Sequence, residues 1–367
     1  MKKVGILTMH KVINFGSALQ AYATQKFVEK SGYESELIDY LYPIRRKKKT
    51  IKQRLISLMP SRRNKRKKFQ EFWNRYFKTS KQSFAAPELL TAESCKYDIY
   101  LTGSDQVWNP LLKDEVYPFM FNFIDGGKKL SFAASFSSGY IEEKERREMY
   151  SKLLSQYQYI SVREASGIPL VKELTGKDAS HVCDPTFLLD NSEWEEINNS
   201  CTLSINEPYI LIYILSYAYN PFPHVFDIIE KVRKELGYKV IFVDGSIKYT
   251  KKEGYRNIRG CGPADFLYLV RNAAFVITTS FHGTAFAINF RRPLLSVIQP
   301  DLNKDSRMYS LLKMVGLESR AVVYNQPFEF KKEEETIYTQ EVNTRINKLV
   351  ADSKAYLKES LEALSQQ

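Results

Sequence analysis

Apolar and polar positions along this chain follow two rhythms. Short apolar runs, too brief for helices, read as strands buried on both faces: Lys3 to Thr8, Glu36 to Tyr40, Tyr97 to Thr102, Lys129 to Ala134 and Tyr159 to Val162. Helical periodicity from about Ala18 to Lys30 separates the first two. A second series starts after the acidic and polar stretch Asp190 to Glu207, with strands at Tyr209 to Leu215, Lys239 to Val243, Ala274 to Thr279 and Pro293 to Ile298. Each of these has a helical pattern before or after it. The alternation predicts an α/β protein built from two doubly wound parallel sheets. The expected N-terminal domain runs over 1–190 and the C-terminal domain over 208–330. Within 331–367, apolar residues at helical spacing (Val342, Ile346, Leu349, Val350, Leu357, Leu361) predict C-terminal helices that pack back across the junction.

A length of 367 residues suits two such domains, with two cores facing a cleft. No apolar run approaches the length that crosses a bilayer, and Met1 to Thr8 reads as a strand and not as a signal peptide, so a cytoplasmic location is expected. The cysteines at 95, 183, 201 and 261 are far apart, which predicts reduced thiols and no metal site. Charge is concentrated: of a net +12, thirteen basic residues and no acid fall between Ile44 and Lys68, so the rest of the chain is nearly neutral. Between the two basic clusters lie Ile51, Leu55, Ile56, Leu58 and Met59. This segment, 44–68, is either a solvated loop or a peripheral dock for an anionic membrane surface. A nucleic-acid partner is not expected, because no recognised binding module accompanies the charge.

Ligands of parallel sheets collect at the carboxyl ends of strands, where helix N-termini offer free N–H groups. Four such ends carry candidate chemistry. The turn Met9 to Ser17 offers Asn14, Gly16, which permits close backbone approach, and Ser17, which can cap a helix opening at Ser17 or Ala18. Its alternative is an ordinary strand-to-helix turn. The loop Thr102 to Asn109 places Trp108 beside Ser104, Asp105 and Gln106, a ring face with hydroxyl partners that suits a sugar; the alternative is a core tryptophan and a helix-capping aspartate. At Ser161-Val162-Arg163-Glu164 a strand ends in a charge pair, where Arg163 can fork onto a carboxylate or phosphate and Glu164 can orient it or act on the substrate; an exposed arginine at a helix start is the alternative. Fourth, the strand Phe275 to Thr279 runs into Ser280-Phe281-His282-Gly283 and a helix of small and apolar residues. That order puts an imidazole able to exchange protons near neutrality at the mouth of the sheet, against the alternative of a core histidine bonded to backbone.

Taken in order, Asn14-Phe15-Gly16-Ser17 with Leu19-Gln20-Ala21-Tyr22, Gly103 to Trp108, Ser161 to Glu164, Asp184-Pro185-Thr186, Ser280 to Gly283 and Asp305-Ser306-Arg307-Met308 resemble the polysaccharide pyruvyl transferase family. The resemblance implies two Rossmann-like domains of the GT-B kind and transfer of pyruvate from phosphoenolpyruvate to a sugar, commonly as a ketal. No further cofactor is expected, since arginines can hold the phosphate without a metal. His282 matches the family's key histidine and Arg163 its N-domain arginine. Many members have a Ser-x-Arg-Leu-His-like form where this chain has Ser280-Phe281-His282, which removes an anion contact that Arg307, Lys304 or Arg292 would have to supply.

On this reading His282, Arg163 and Glu164 are the catalytic candidates, with Asp105 a second candidate to take the acceptor's proton. Asn14, Gly16, Ser17, Ser104, Asp105, Gln106, Trp108, Ser280, Gly283 and Arg307 are the binding candidates. Two other readings stay open: a GT-B glycosyltransferase using a nucleotide sugar, and a non-catalytic membrane-associated scaffold in polysaccharide assembly.

Overall fold

The computed structural model describes every residue except 43–57, 217–218, 247–249, 251 and 301–305. The chain forms two compact units. The first comprises Met1–Lys49, Trp73–Leu188 and Lys348–Gln367, the second Thr50–Phe72 and Leu189–Asn347.

In chain order the elements of the first half are β1 (Lys3–Leu7), α1 (Phe15–Lys30), β2 (Glu34–Tyr40), α2 (Pro60–Tyr76), β3 (Thr79–Phe84), β4 (Ile99–Thr102), β5 (Lys129–Ser131), α3 (Lys144–Leu154), β6 (Ser161–Val162), α4 (Gly167–Thr175) and β7 (Ser180–His181). The sheet of the first unit has the order β3-β2-β1-β4-β5, with every pair parallel. Single bridges from Leu130 to Tyr159 and from Ala134 to Val162 join the β6–β7 pair to its edge. All of β4 and nearly all of β1 are buried, the signature of a parallel sheet covered on both faces. One face packs Val4, Ile6, Leu101 and Leu130 against Ala21 of α1 and against Leu357, Leu361 and Leu364 near the C-terminus. Methylene for methylene, such burial is the main source of stability here.

The second half contributes α5 (Glu195–Asn198), β8 (Tyr209–Tyr213), α6 (Val225–Leu236), β9 (Lys239–Val243), β10 (Tyr255–Ile258), α7 (Pro263–Arg271), β11 (Phe275–Thr278), α8 (Phe281–Asn289), β12 (Leu294–Ile298), α9 (Ser306–Val315), β13 (Ala321–Val323) and α10 (Gln340–Gln366). Its sheet, again parallel throughout, has the order β10-β9-β8-β11-β12-β13. Helix α6 shows why the sequence folds locally as it does. Val225, Ile228, Ile229, Val232 and Leu236 form one apolar stripe against Ile210, Ile212, Val240 and Ile277, and Gly237 at φ +70° closes the helix in the left-handed region. The α/β class and the parallel sheets follow the sequence pattern.

Strands β3, β10 and β13, absent from the sequence reading, are all sheet edges. An edge strand keeps polar side chains on its open side, as Thr79-Ser80-Lys81-Gln82-Ser83 does, so no apolar run announces it.

The basic segment also differs from expectation. Its first part, 43–57, lies outside the described residues, but α2 is a helix, and its residues up to Phe72 belong to the second unit, not to the N-terminal domain. Phe69 and Phe72 are buried, Lys65 pairs with Asp244 at 2.9 Å, Lys68 pairs with Asp265 at 2.7 Å, and Asn64 donates to the Gly260 carbonyl at 3.2 Å. Gly262 is required for this approach, since a Cβ there would run into Lys68. Helix α10 likewise starts in the second unit, where Asn343 and Asn347 accept from Arg291, and belongs to the first from Lys348 onward.

Candidate functional site

At the carboxyl edge of the first sheet, α1 opens at Phe15, earlier than the sequence suggests. Asn14, with extended backbone, is its N-cap and accepts from the Ser17 amide at 3.2 Å. Ser17 therefore does not cap; its hydroxyl donates to Asp105 Oδ2 at 2.5 Å. Gly16 is buried within the first turn. Asp105 follows β4 at φ +80°, with its other carboxylate oxygen accepting from the Gln106 amide at 2.8 Å and its carbonyl from Ser135 N at 3.1 Å. Ala133 and Ser137 at the same edge also have positive φ. Three non-glycine residues held there mark a backbone that its surroundings over-determine, a feature common at ligand sites. Asn14, Asp105 and Gln106 are half-buried and so remain reachable.

Two other expectations are corrected at this edge. Trp108 is fully buried in the core, its ring 5.2 Å from Phe136 and 5.8 Å from Tyr157, so no sugar can stack on it without displacing the core. Arg163 and Glu164 are buried as well. The Arg163 guanidinium is 1 % exposed and donates to Asp184 Oδ2 at 3.0 Å, and Ser104 donates to that same oxygen at 3.0 Å. Burial by itself would lower the guanidinium pKa, but Asp184, Glu164 and Asp105 outweigh it and hold it above the usual value. A cation already matched to a buried carboxylate adds little net charge for an incoming anion. Glu164 Oε1 accepts from Ser135 Oγ at 2.7 Å and from Ser137 N at 2.8 Å, which ties down a loop, and the whole side chain is shut away from solvent, so an acceptor hydroxyl does not reach it. Arg163, Glu164, Ser104 and Asp184 thus form one buried knot between strand ends.

A neighbouring cluster went unread in the sequence. His10 is fully buried between the Thr8 carbonyl (3.1 Å from Nδ1) and Asp39 Oδ1 (3.0 Å from Nε2), while Lys11 pairs with Asp39 Oδ2 at 2.6 Å and Ser83 donates to the same oxygen. Burial would raise the Asp39 pKa, yet the bonds from His10, Lys11 and Ser83 prevail and hold the carboxyl well below the usual carboxylate range. Asp39 sits between Ile38 and Tyr40 near the end of β2, 29 residues from its partner, so only the pairing of β1 with β2 could have revealed it.

The carboxyl edge of the second sheet is built differently. Ser280 caps α8, its hydroxyl accepting from Gly283 N at 3.3 Å, and Thr278 Oγ1 accepts from Ser280 N at 3.0 Å while donating to the Tyr213 carbonyl at 2.7 Å. Gly283 cannot carry a side chain, because a Cβ would collide with Thr278 Oγ1. These bonds fix His282 in the first turn of α8, largely buried, with its ring 5.3 Å from that of Phe281. Thr284, one residue past Gly283, bonds Ser296 of β12 at 2.6 Å and points at Met308 Sδ at 3.8 Å. The first turn of α9, with half-buried Arg307 beside Met308, therefore packs on the first turn of α8. Arg292 is ruled out as a replacement anion contact: it precedes β12, at the amino end of the strand, opposite Ser280. Lys304 and Asp305 lie outside the described residues. Thiol nucleophiles are disfavoured, since burial pushes Cys183 up to about 12 and Cys201 up to about 11. Among the described residues no group of three or more His, Cys, Asp or Glu side chains is arranged to hold a metal ion.

A family model for polysaccharide pyruvyl transferase matches residues 14–299, a span that begins at the α1 cap and takes in Asp105, Arg163 and the His282 turn. The chain belongs to the polysaccharide pyruvyl transferase family. It is therefore read as a transferase. A search of curated proteins returned no match. Among solved structures, the UDP-GlcNAc 2-epimerase from Neisseria meningitidis bound to UDP-GlcNAc is similar with a TM-score of 0.52 and 10 % identity, over 99 % of this chain and 100 % of that one. A Staphylococcus aureus MnaA–UDP complex gives 0.53 and 12 %, over 98 % and 91 %. The UDP-GlcNAc 2-epimerase of Methanocaldococcus jannaschii gives 0.51 and 11 %, over the whole of both chains. At such identities the likeness concerns the fold alone, and that fold is GT-B-like: two parallel-sheet domains with helices.

Proposed function

We propose that this family member transfers pyruvate from phosphoenolpyruvate to a sugar of a surface polysaccharide or its lipid-linked precursor, forming a ketal. The observation that carries the reading is that the family match includes the Ser280–Gly283 turn, where the fold holds an imidazole at a strand end beside a helix N-terminus. In the reaction one sugar hydroxyl adds to C2 of the enol while C3 gains a proton. A second hydroxyl then replaces phosphate, which leaves with the other proton. His282 is assigned to proton delivery at C3 or to the departing phosphate. Arg307, in the helix that packs on α8, is the candidate contact for the donor's anionic groups. Asp105 replaces Glu164 as the candidate to take a proton from the acceptor, because it is reachable and Glu164 is not. Asn14 and Gln106 are its polar neighbours for sugar hydroxyls.

The test is a donor screen. Acceptor-dependent phosphate release from phosphoenolpyruvate, with a pyruvyl ketal in the product, is the expected result. Release of a nucleotide from a sugar nucleotide instead would favour the glycosyltransferase reading, and inertness towards both donors would favour the scaffold.

A further inference from the structure

Helix α2 divides its cations between two faces. Lys65 and Lys68 turn inward with Phe69 and Phe72, to Asp244 and Asp265. Arg62, Arg63, Arg66 and Lys67 are exposed on the other side, where Glu71 pairs with Lys67 at 3.7 Å. Immediately before the helix, Leu58 is 65 % exposed. An exposed leucine next to a run of exposed cations matches an anionic leaflet: its headgroups take the charges and its acyl boundary takes the leucine. Nucleic acid would match the charge but not the leucine.

We propose that the outward face of α2, with Leu58, docks this protein on an anionic lipid surface. The inward ion pairs hold the helix by its other side, against the loops that follow β9 and β10 at the carboxyl edge of the second sheet. Docking thus uses a rigid face already fixed to the fold and does not depend on the transferase reading.

The experiment is cosedimentation of the full chain with phosphatidylglycerol-containing vesicles and with phosphatidylcholine vesicles, at low and high salt. Each basic residue near such a surface strengthens partition roughly fivefold, so R62Q/R63Q/R66Q/K67Q should lose on the order of a hundredfold or more. Binding should also fall steeply with salt, since the Debye length shrinks from about 10 Å at 0.1 M to about 3 Å at 1 M. L58Q should weaken binding that remains at high salt, and K65Q, altered on the inward face, should bind as wild type. Thermal melting of the quadruple variant should match wild type, because all four side chains are exposed. Equal binding to neutral vesicles, full binding by the folded quadruple variant, or a preference for a labelled RNA duplex over vesicles would each overturn the assignment.

Discussion

The two sheets end in turns of the same plan, strand to loop to helix, yet they solve the same polar problem in opposite ways. At the first edge the polar groups centre on buried carboxylates and their partners: Asp184 and Glu164 with Arg163, and Asp39 with Lys11 and His10. At the second edge they are hydroxyls and backbone groups, with Ser280, Thr278 and Thr284 building the turn around His282. Its ion pairs stand to one side and keep some contact with solvent, as in Lys65–Asp244, where both side chains are 22 % exposed. Buried ions are committed to each other and act as fasteners, whereas the second edge places its histidine in a turn built from hydroxyl and backbone bonds. A charged motif at a strand end therefore says little by itself, because its partners can bury it within the fold.

The hardest test of that contrast is Arg163→Met. It leaves Asp184 buried beside a lost cation and should cost about 3–5 kcal/mol of stability, read by denaturant melting. A variant as stable as wild type but unable to bind phosphoenolpyruvate would return Arg163 to the role of anion clamp. His282→Asn should do the reverse, lowering turnover on the order of a hundredfold, with little change in melting temperature. If it unfolds the protein, the second edge is a fastener too.

Asp39→Asn sharpens the comparison through pH. The folded carboxyl titrates well below its unfolded value, so its stabilisation is present above about pH 4 and is lost as pH falls below that. The variant should be roughly 1–3 kcal/mol less stable at neutral pH, with the gap closing in acid. A gap that persisted unchanged in acid would show that the cluster does not act through the carboxylate's charge. The smallest effect is expected from Lys65→Gln, about 1 kcal/mol or less, because its pair keeps some contact with solvent, and high salt should shrink it further.

The central strands were legible because burial on both faces writes an unbroken apolar run, as in Tyr209 to Tyr213 and Phe275 to Thr278. Edge strands β3 and β10 were not, for want of that run, and β13 is apolar but only three residues long. The motif positions located strand ends correctly, but whether Trp108 faces a ligand or the core is a matter of packing that the six residues around it in sequence do not record.

By itself, then, the sequence determined class, sheet type and the place of the His282 turn, because periodicity, glycine and capping chemistry act over a few residues. Tertiary structure alone decided which polar groups stay available. Asp184 comes to Arg163 from 21 residues away, Asp39 to His10 from 29, and Asp244 to Lys65 from 179. Whether a charge is a tool or a fastener depends on such distant partners and on the water they exclude, and neither is encoded in the residues beside it.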